Sequence, residues 1–210
     1  MIDFYCIATL FELYCLSMKK ITIILGHPCS KKVTFSRSLA EAYIQGAEAA
    51  GHSAELIDIS KLDIPYLTQK SDYDDLESKI FIKDAQEKLS QAHHWVIIYP
   101  LWLGTYPSKL KAFFEWVLSP GFAYESSGNG MPVKLLKGKS GRIVITMGMP
   151  AFFYRWGFGA HSLKALEKSI LKFVGISPVK ETLFGFVEGV SDKKRETWLK
   201  KMEKLGGQGS

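Results

Sequence analysis

Short apolar runs alternate with longer amphipathic stretches along most of this sequence. The runs are rich in β-branched residues and are bounded by glycine, proline or polar positions, as is typical of strands buried on both faces of a parallel sheet. We predict strands at positions 21–25, 54–59, 96–99, 142–147 and 179–187.

Between these runs, apolar residues recur at the spacing of helices that bury one face. The predicted helices lie between Thr34 or Ser36 and Gly51, at 77–92, after Pro107, at 160–174 and after Ser191. Strands that alternate with helices predict an α/β fold with a doubly wound parallel sheet and helices on both faces. Five strands fit the flavodoxin-like order 2-1-3-4-5.

The chain is predicted to form a single domain over residues 18–205, followed by a flexible tail at 206–210. Residues 1–17 are apolar, but Asp3 and Glu12 interrupt them and no basic segment precedes them, so neither a signal peptide nor a membrane span is predicted there. Met18 stands immediately before the first predicted strand. We therefore interpret residues 1–17 as a non-native or accessory extension. We do not expect the protein to associate with a membrane, and these residues are the one segment through which it could.

The overall composition is that of a globular protein with a moderate positive charge. With 47% hydrophobic and 23% charged residues among 210, the chain can bury an ordinary core. The net charge of +6 comes without aromatic-basic repeats or zinc-finger spacing, which favours a phosphorylated small ligand over nucleic acid. The three cysteines form no Cys-x-x-Cys pair, which favours a reducing, cytoplasmic compartment. No His, Cys, Asp or Glu cluster has metal-ligand spacing, so no metal is expected.

The loop after the first strand carries the first candidate site. His27 follows the strand, and Thr34 and Ser36 stand where the next helix begins. The free N–H groups and the positive dipole end of such a helix bind phosphate, and hydroxyl and imidazole groups add donors. The same residues also suit a helix cap without a ligand, and this alternative stays open. Neither a Rossmann fingerprint nor a P-loop motif is present.

Two further turns follow the third and fourth strands. One covers 100–104 and contains Trp102; the other begins at 146–148 and is predicted to continue as an aromatic-rich loop to position 159. Ligands of open parallel sheets bind outside the carboxyl ends of the strands, where such turns lie. A phosphate site beside two apolar, glycine-containing walls fits a ring system joined to a phosphate, and a flavin matches that description.

Several short segments occur in a specific order from Ile21 to about Val187. They are Gly26-His27-Pro28, Thr34-Phe35-Ser36, Tyr99-Pro100-Leu101-Trp102 with Pro107, Leu110-Lys111, Trp116-Val117, Gly121-Phe122-Ala123-Tyr124, and Thr146-Met147-Gly148 with Tyr154 and His161. As a set they resemble the NAD(P)H:quinone oxidoreductases of the flavodoxin-like fold, the family of the mammalian DT-diaphorase and its bacterial relatives.

The resemblance implies a role for each position. The implied contacts of the flavin phosphate are His27, Thr34, Phe35 and Ser36. The implied contacts of the ring are Pro100, Leu101, Trp102 and Leu103 along its length and the backbone N–H groups of Thr146, Met147 and Gly148 at its pyrimidine side. Tyr154 and His161 are implied as catalytic groups that stabilise charge on the reduced ring. Phe122 and Tyr124 are implied to reach the pocket of a neighbouring subunit, which implies a homodimer.

The implied activity is that of a flavin-dependent NAD(P)H:quinone oxidoreductase, or of an enzyme for a related acceptor. Hydride is expected to pass from the nicotinamide to flavin N5 and then to the acceptor in the same slot, with ping-pong kinetics. The resemblance slightly favours FAD over FMN. A flavodoxin-type electron carrier and a regulatory flavoprotein subunit of a membrane transport system stay open as alternatives.

Some of these residues also have a purely structural interpretation. His161 also fits a cap of the helix after Gly159, Tyr154 fits a core aromatic, and Trp102 fits surface packing. Four further aromatic residues are interpreted as walls of the site or as dimer contacts. They are Phe152, Phe153, Trp156 and Phe158.

Overall fold

A parallel sheet forms the centre of the structure, a computed structural model that describes residues 18–31, 33–127, 130 and 132–210. In chain order the strands are β1 (Lys20–Leu25), β2 (Ser53–Asp58), β3 (His94–Pro100), β4 (Tyr124–Glu125), β5 (Val133–Lys134), β6 (Ser140–Thr146) and β7 (Val179–Phe184). The order across the five-stranded sheet is β2-β1-β3-β6-β7, while β4 and β5 form a separate antiparallel pair. Without that pair the order is 2-1-3-4-5, so the predicted fold class is confirmed.

The central strands are buried on both faces, which explains their unbroken apolar runs. Ile23, Val96, Ile97 and Ile143 have no exposed surface. Ile23 lies opposite Val96 in the parallel register, and Ile97 lies opposite Ile143. The core therefore consists of two layers, one on each face of β1, β3 and β6.

Helices cover both faces of the sheet. In chain order they are α1 (Phe35–Ala49), α2 (Ile80–Gln91), α3 (Ser108–Val117), α4 (Ala151–Trp156), α5 (His161–Lys164), α6 (Lys172–Val174) and α7 (Asp192–Gly207). A π-helical segment, Ala165–Leu171, joins α5 to α6, so 161–174 form one continuous helix. Two 3₁₀ helices occupy Ile59–Lys61 and Lys70–Ser78. Helices α1 and α7 pack on one face, and α2, α3 and the helix at 161–174 pack on the other.

Two segments differ from the expectations of the sequence analysis. Part of the loop predicted at 148–159 is the helix α4, which follows Pro150. The tail expected to be flexible at 206–210 is instead packed: α7 continues to Gly207, and Gly206 and Gly209 are buried. Lys19 Nζ donates to the carbonyl oxygen of Gly209 at 2.8 Å. Contacts of this kind use backbone atoms, so the polar, glycine-rich composition of the tail did not reveal them.

Within the described residues, no helix is both long and apolar enough to cross a membrane. In the same part of the chain, no group of three or more His, Cys, Asp or Glu side chains is placed to hold a metal ion. Residues 1–17, which we interpret as a non-native or accessory extension, lie outside the described residues.

Candidate functional site

Three turns meet at the carboxyl edge of the sheet, after β1, β3 and β6. Leu25 at the end of β1 lies opposite Ile98, and Pro100 at the end of β3 lies opposite Thr146. The turn after β3 is also bonded to β6, because the Leu101 N–H donates to the carbonyl oxygen of Thr146 at 2.8 Å. The structure therefore brings together the three turns that the sequence analysis assigns to one ligand.

The first turn leads from β1 into the amino end of α1. The Gly26 N–H donates to the carbonyl oxygen of Ile98 at 2.7 Å. A Cβ on Gly26 would stand 2.6 Å from a methyl carbon of Leu110, so a larger residue would have to displace that buried side chain. Thr34 is the N-cap of α1, and its hydroxyl oxygen accepts the N–H of Arg37 at 3.4 Å. The predicted cap is confirmed. The first N–H groups of α1 have no carbonyl acceptor within the helix. They can therefore bind an anion at the carboxyl edge of the sheet.

The side chains of Phe35 and Ser36 are engaged inside the protein. Ser36 is buried, and its Oγ lies 3.2 Å from Oγ1 of Thr146. The Phe35 ring packs against the rings of Phe184 and Trp198, with centroids 6.4 and 5.8 Å away. Both residues can therefore reach a phosphate through their backbone N–H groups, which corrects the expectation of a hydroxyl contact from Ser36.

His27 is held as a neutral imidazole beside an ion pair. Burial lowers its pKa, the nearby Arg37 guanidinium lowers it further, and Asp58 partly opposes both effects. Arg37 Nη2 lies 2.5 Å from Oδ2 of Asp58. His27 Nδ1 accepts the N–H of Cys29 at 3.1 Å, which leaves Nε2 as the protonated nitrogen. The ring can thus donate one hydrogen bond to a ligand.

The pair of Arg37 and Asp58 was not predicted from the sequence. Burial alone would raise the pKa of Asp58, but hydrogen bonds from Ser60 and Arg37 outweigh it and lower that pKa. A signal was available in the sequence. Asp58 ends a strand that neighbours β1, so its carboxylate had to lie at the same edge as the basic turn. The pair orders the first turn of α1 beside the candidate phosphate site.

The second turn is a tight hairpin with left-handed backbone. Trp102 and Thr105 exchange two backbone hydrogen bonds of 2.8 and 2.9 Å, and the two residues between them, Leu103 and Gly104, have φ of 48° and 80°. This is the geometry of a type I′ turn, in which a leucine costs roughly 1–2 kcal/mol. Leu103 is fully exposed and Trp102 is half-exposed, and the edge of His27 meets Trp102 at a centroid distance of 5.8 Å. A strained apolar hairpin therefore lies next to the first turn and contacts it through Trp102.

The third turn begins inside the sheet. The Met147 N–H donates to the carbonyl oxygen of Phe184 at 2.9 Å, so the expectation that this N–H faces a flavin is wrong. Thr146 belongs to β6 and is buried. Gly148 is the exposed member of the predicted trio, and a Cβ there would have no neighbour within 4 Å. The open space for a ligand edge thus lies at Gly148.

Tyr154 lies in the core rather than at the edge of the sheet. Its hydroxyl lies 2.7 Å from Oγ of Ser162 and accepts the N–H of Leu163 at 3.1 Å. The side chain is almost completely buried. This placement matches the core interpretation of Tyr154 and argues against a direct contact with a ligand.

His161 is the first residue of α5 and is exposed. The N-cap position belongs to Ala160, which has a left-handed φ of 49°, so the cap interpretation of His161 is wrong. The imidazole lies against Gly159, where a Cβ would stand 3.0 Å from Nε2. The side chain is accessible to a ligand, and its catalytic role stays a prediction.

Phe122 and Tyr124 belong to the segment that enters the hairpin of β4 and β5. Phe122 packs on the core, and the Tyr124 ring lies 5.3 Å from the ring of Phe173. Tyr124 and Phe173, together with Tyr106 from the second turn, line an apolar cavity of about 330 Å³ between α3 and the helix at 161–174. The predicted contact of Phe122 and Tyr124 with a neighbouring subunit stays a prediction.

The family follows from this sheet order and from a comparison of the sequence with known families. Residues 19–205 match the family described as having a flavodoxin-like fold. The chain belongs to this flavodoxin-like family. The match covers every strand of the sheet and all three turns at its carboxyl edge.

Individual relatives of this flavodoxin-like chain are oxidoreductases by name. It is 29% identical to an "Uncharacterized NAD(P)H oxidoreductase" of Haemophilus influenzae, over 84% of this chain and 89% of that one. It is 29% identical to an "FMN-dependent NADH:quinone oxidoreductase" of Bacillus pumilus, over 58% of this chain and 66% of that one. The structure of an "NAD(P)H:quinone oxidoreductase" from Methanothermobacter marburgensis superposes with a TM-score of 0.75 at 23% identity, over 90% of this chain and 98% of that one. This structural likeness shows a shared fold.

Proposed function

We propose that this protein is an FMN-dependent NAD(P)H:quinone oxidoreductase. One observation carries the proposal: a helix N-terminus, an exposed tryptophan hairpin and an open glycine backbone meet at one edge of the sheet. The helix N-terminus suits a phosphate, the tryptophan hairpin provides an apolar wall, and the glycine backbone provides a polar edge. A flavin mononucleotide needs all three together. The name of the Bacillus pumilus relative describes this activity with NADH, and the name of the Haemophilus influenzae relative describes an NAD(P)H oxidoreductase.

The residues present fit a flavin phosphate at the first turn. The free N–H groups at the start of α1 provide donors, and the Thr34 hydroxyl keeps its own proton to donate because it only accepts from Arg37. Neutral His27 adds a donor at Nε2 without placing a full charge beside the helix dipole. A dianionic phosphate is favoured at such a helix end.

The second and third turns fit the ring. Trp102 and Leu103 are exposed apolar groups that a flat ring would cover, which removes their contact with water and shields one ring face. The exposed Gly148 backbone leaves room for a polar ring edge. A flavin held by these turns would supply the chemistry of hydride transfer from NAD(P)H to a quinone. The chain contributes orientation, exclusion of water and donors placed where negative charge develops.

FMN is proposed as the flavin in place of the slight preference for FAD from the sequence analysis. The Bacillus pumilus relative is named as FMN-dependent, and this name supports the choice. A homodimer and a cytoplasmic location are also part of the proposal. They rest on the family resemblance of Phe122 and Tyr124 and on the absence of paired cysteines in the sequence.

The decisive experiment is to purify the protein, record its visible spectrum and identify the flavin that heat releases. We expect a yellow protein that releases FMN, is bleached by NADH or NADPH without air, and regains colour when a quinone is added. A preparation that binds neither FMN nor FAD would overturn the proposal. Bleaching that requires a separate reductase would identify an electron carrier instead.

Substitution of His161 tests its proposed catalytic role. We expect His161→Gln to lower kcat by about tenfold or more while the flavin Kd changes less than about twofold, because the group acts on charge that develops during turnover. Tyr154→Phe is the matched control. It is expected to lower stability by about 1 kcal/mol through loss of a buried hydrogen bond and to leave kcat unchanged. Unchanged turnover in His161→Gln would remove His161 from the mechanism.

A further inference from the structure

Large aromatic side chains stand exposed on and beside α4. We define the aromatic patch as Phe152, Phe153, Trp156, Phe158 and Phe186. Their exposed fractions run from 49% to 81%, far above those of the core aromatics. Phe152 and Trp156 are one helical turn apart, and the rings of Phe153 and Phe158 meet at a centroid distance of 5.3 Å. The N–H of Phe186 donates at 2.9 Å to the carbonyl oxygen two residues before α4, so all five side chains belong to one region.

Two lysines border this patch. Lys164 and Lys168 are exposed and lie one turn apart on the helix at 161–174. Together with Trp156 they line an open cavity of about 460 Å³. In the described part of the chain, neither lysine lies within ion-pair distance of a carboxylate.

The acidic groups of that cavity are already neutralised. Glu181 pairs with Arg155, and the carboxylate of Glu167 lies 2.6 Å from Lys172 Nζ. The charge left uncompensated beside the aromatic patch is therefore positive, in a chain whose net charge is +6.

We propose that the aromatic patch docks on the surface of an anionic lipid bilayer. Tryptophan and phenylalanine side chains that are exposed at the protein surface lose their contact with water when they enter the headgroup region. Lysines at the border of such a patch are attracted by anionic headgroups. An isologous contact between two copies would instead bring the uncompensated lysines of both copies into one interface, where they repel.

The position of the patch adds a functional consequence. Helix α4 follows the third turn and Phe186 follows β7, so the patch lies at the same edge of the sheet as the candidate flavin site. Docking would place the opening of that site next to the bilayer, where lipophilic quinones dissolve. This consequence rests on the proposed function, whereas the docking itself does not.

Vesicle sedimentation of the full chain with its bound cofactor tests the docking. We expect a partition coefficient at least about tenfold higher on vesicles containing phosphatidylglycerol than on pure phosphatidylcholine, falling as salt is added. The double variant Phe152→Ala/Trp156→Ala is expected to lose about tenfold or more of this binding. Lys164→Gln/Lys168→Gln is expected to lose the preference for anionic lipid.

Tyr66→Ala is the matched control, because Tyr66 is similarly exposed but lies far from the aromatic patch. It belongs to the connection after β2, the outer strand at the opposite end of the strand order from β7. It should bind vesicles as the unaltered protein does, and the Lys164→Gln/Lys168→Gln variant should keep the turnover of the unaltered protein with a water-soluble quinone. An unaltered protein that stays in the supernatant at low salt, or a double variant that binds normally, would overturn the proposal. A change of oligomeric state in the double variant without vesicle binding would show that a second copy covers this face. Loss of flavin chemistry alone would affect the proposed function and leave the docking result standing.

Discussion

The amino and carboxyl edges of the sheet are formed by the two ends of the same strands, but their side chains differ in kind and in exposure. At the amino edge, polar side chains close the ends of the strands: Nδ1 of His94 lies 2.7 Å from Oγ of Ser140, and Arg142 donates to Oγ1 of Thr182 at 2.8 Å. The segment after α7 completes this closure, with the carbonyl oxygen of Ser210 accepting from Arg142 Nε at 2.7 Å. At the carboxyl edge, an apolar hairpin and an open glycine backbone face outward.

The difference shows at which edge the polar groups bond within the chain and at which edge groups remain available to a ligand. At the amino edge, Nδ1 of His94 and the guanidinium of Arg142 find partners within the chain, as stability requires, whereas Nε2 of His94 is buried without one. The carboxyl edge keeps free helix N–H groups, exposed apolar side chains and a left-handed leucine, each of which costs free energy in the unliganded protein. Strain and exposure concentrated at one edge are the physical signature of a binding site.

The largest expected effect is a loss of stability caused by overpacking between two helices near the amino edge, which we call the closed edge. The carboxyl edge is called the open edge. A Cβ on Gly46 of α1 would stand 1.9 Å from the carbonyl oxygen of Glu203 in α7, so Gly46→Ala forces the two helices apart. We expect a loss of about 2–3 kcal/mol in the free energy of unfolding, even though alanine favours a helix. Urea denaturation measures it.

Gly148→Ala is the matched variant at the open edge, because a Cβ there meets nothing within 4 Å. Its free energy of unfolding is expected to change by less than about 0.5 kcal/mol, while flavin affinity falls severalfold. Equal destabilisation by both variants would mean that the two edges are packed alike, contrary to the comparison.

A second test of the closed edge uses pH. Burial is the main cause that lowers the pKa of His94 to about 3, from an ordinary value of 6.5, and three nearby basic residues add to it. Protonation therefore favours the unfolded chain: stability is complete above pH 6.5 and is lost as the pH falls towards 3, by up to about 1.4 kcal/mol per pH unit.

His94→Asn, which keeps a polar partner for Ser140, should remove most of this slope when urea midpoints are compared between pH 7 and pH 5. The neighbouring exposed His93, changed to Asn, should leave the slope as it is. If His94→Asn retains the full dependence on pH, other groups cause it.

A smaller effect is expected from relief of strain at the open edge. Leu103 has a φ of 48° and a fully exposed side chain, so it contributes little packing and occupies a backbone conformation that favours glycine. We expect Leu103→Gly to raise the free energy of unfolding by about 1 kcal/mol and to weaken flavin binding. Thermal unfolding and a flavin titration on the same preparation measure both. A stabilised variant with unchanged flavin affinity would show that the leucine does not serve the site.

The smallest effect concerns the charge at the first turn. Removing the guanidinium in Arg37→Gln should raise the pKa of His27, because Arg37 disfavours the imidazolium and unpaired Asp58 would then favour it. The titration of the His27 ring protons, followed by NMR in both proteins, measures the direction of this change in pKa. A downward shift would contradict the arrangement at this turn.

Local sequence patterns determined the architecture of this protein. β-Branched runs such as 21–25 can be satisfied only as buried strands, and their alternation with amphipathic helices determines a parallel sheet whose turns share one edge. A cap at Thr34 or Ser36 was also readable, because the start of a helix depends on a few adjacent residues, and the structure shows that Thr34 is the cap.

Only the tertiary structure decided which atoms at that edge remain available. The hydroxyl of Ser36 is hydrogen-bonded to that of Thr146, 110 residues away, and the N–H of Met147 donates to the carbonyl oxygen of Phe184 in β7. Tyr154 turns inward to Ser162, and the glycine tail closes the amino edge through its backbone. Each outcome depends on contacts between distant segments, and the free energy of such contacts is set by packing that no local pattern encodes.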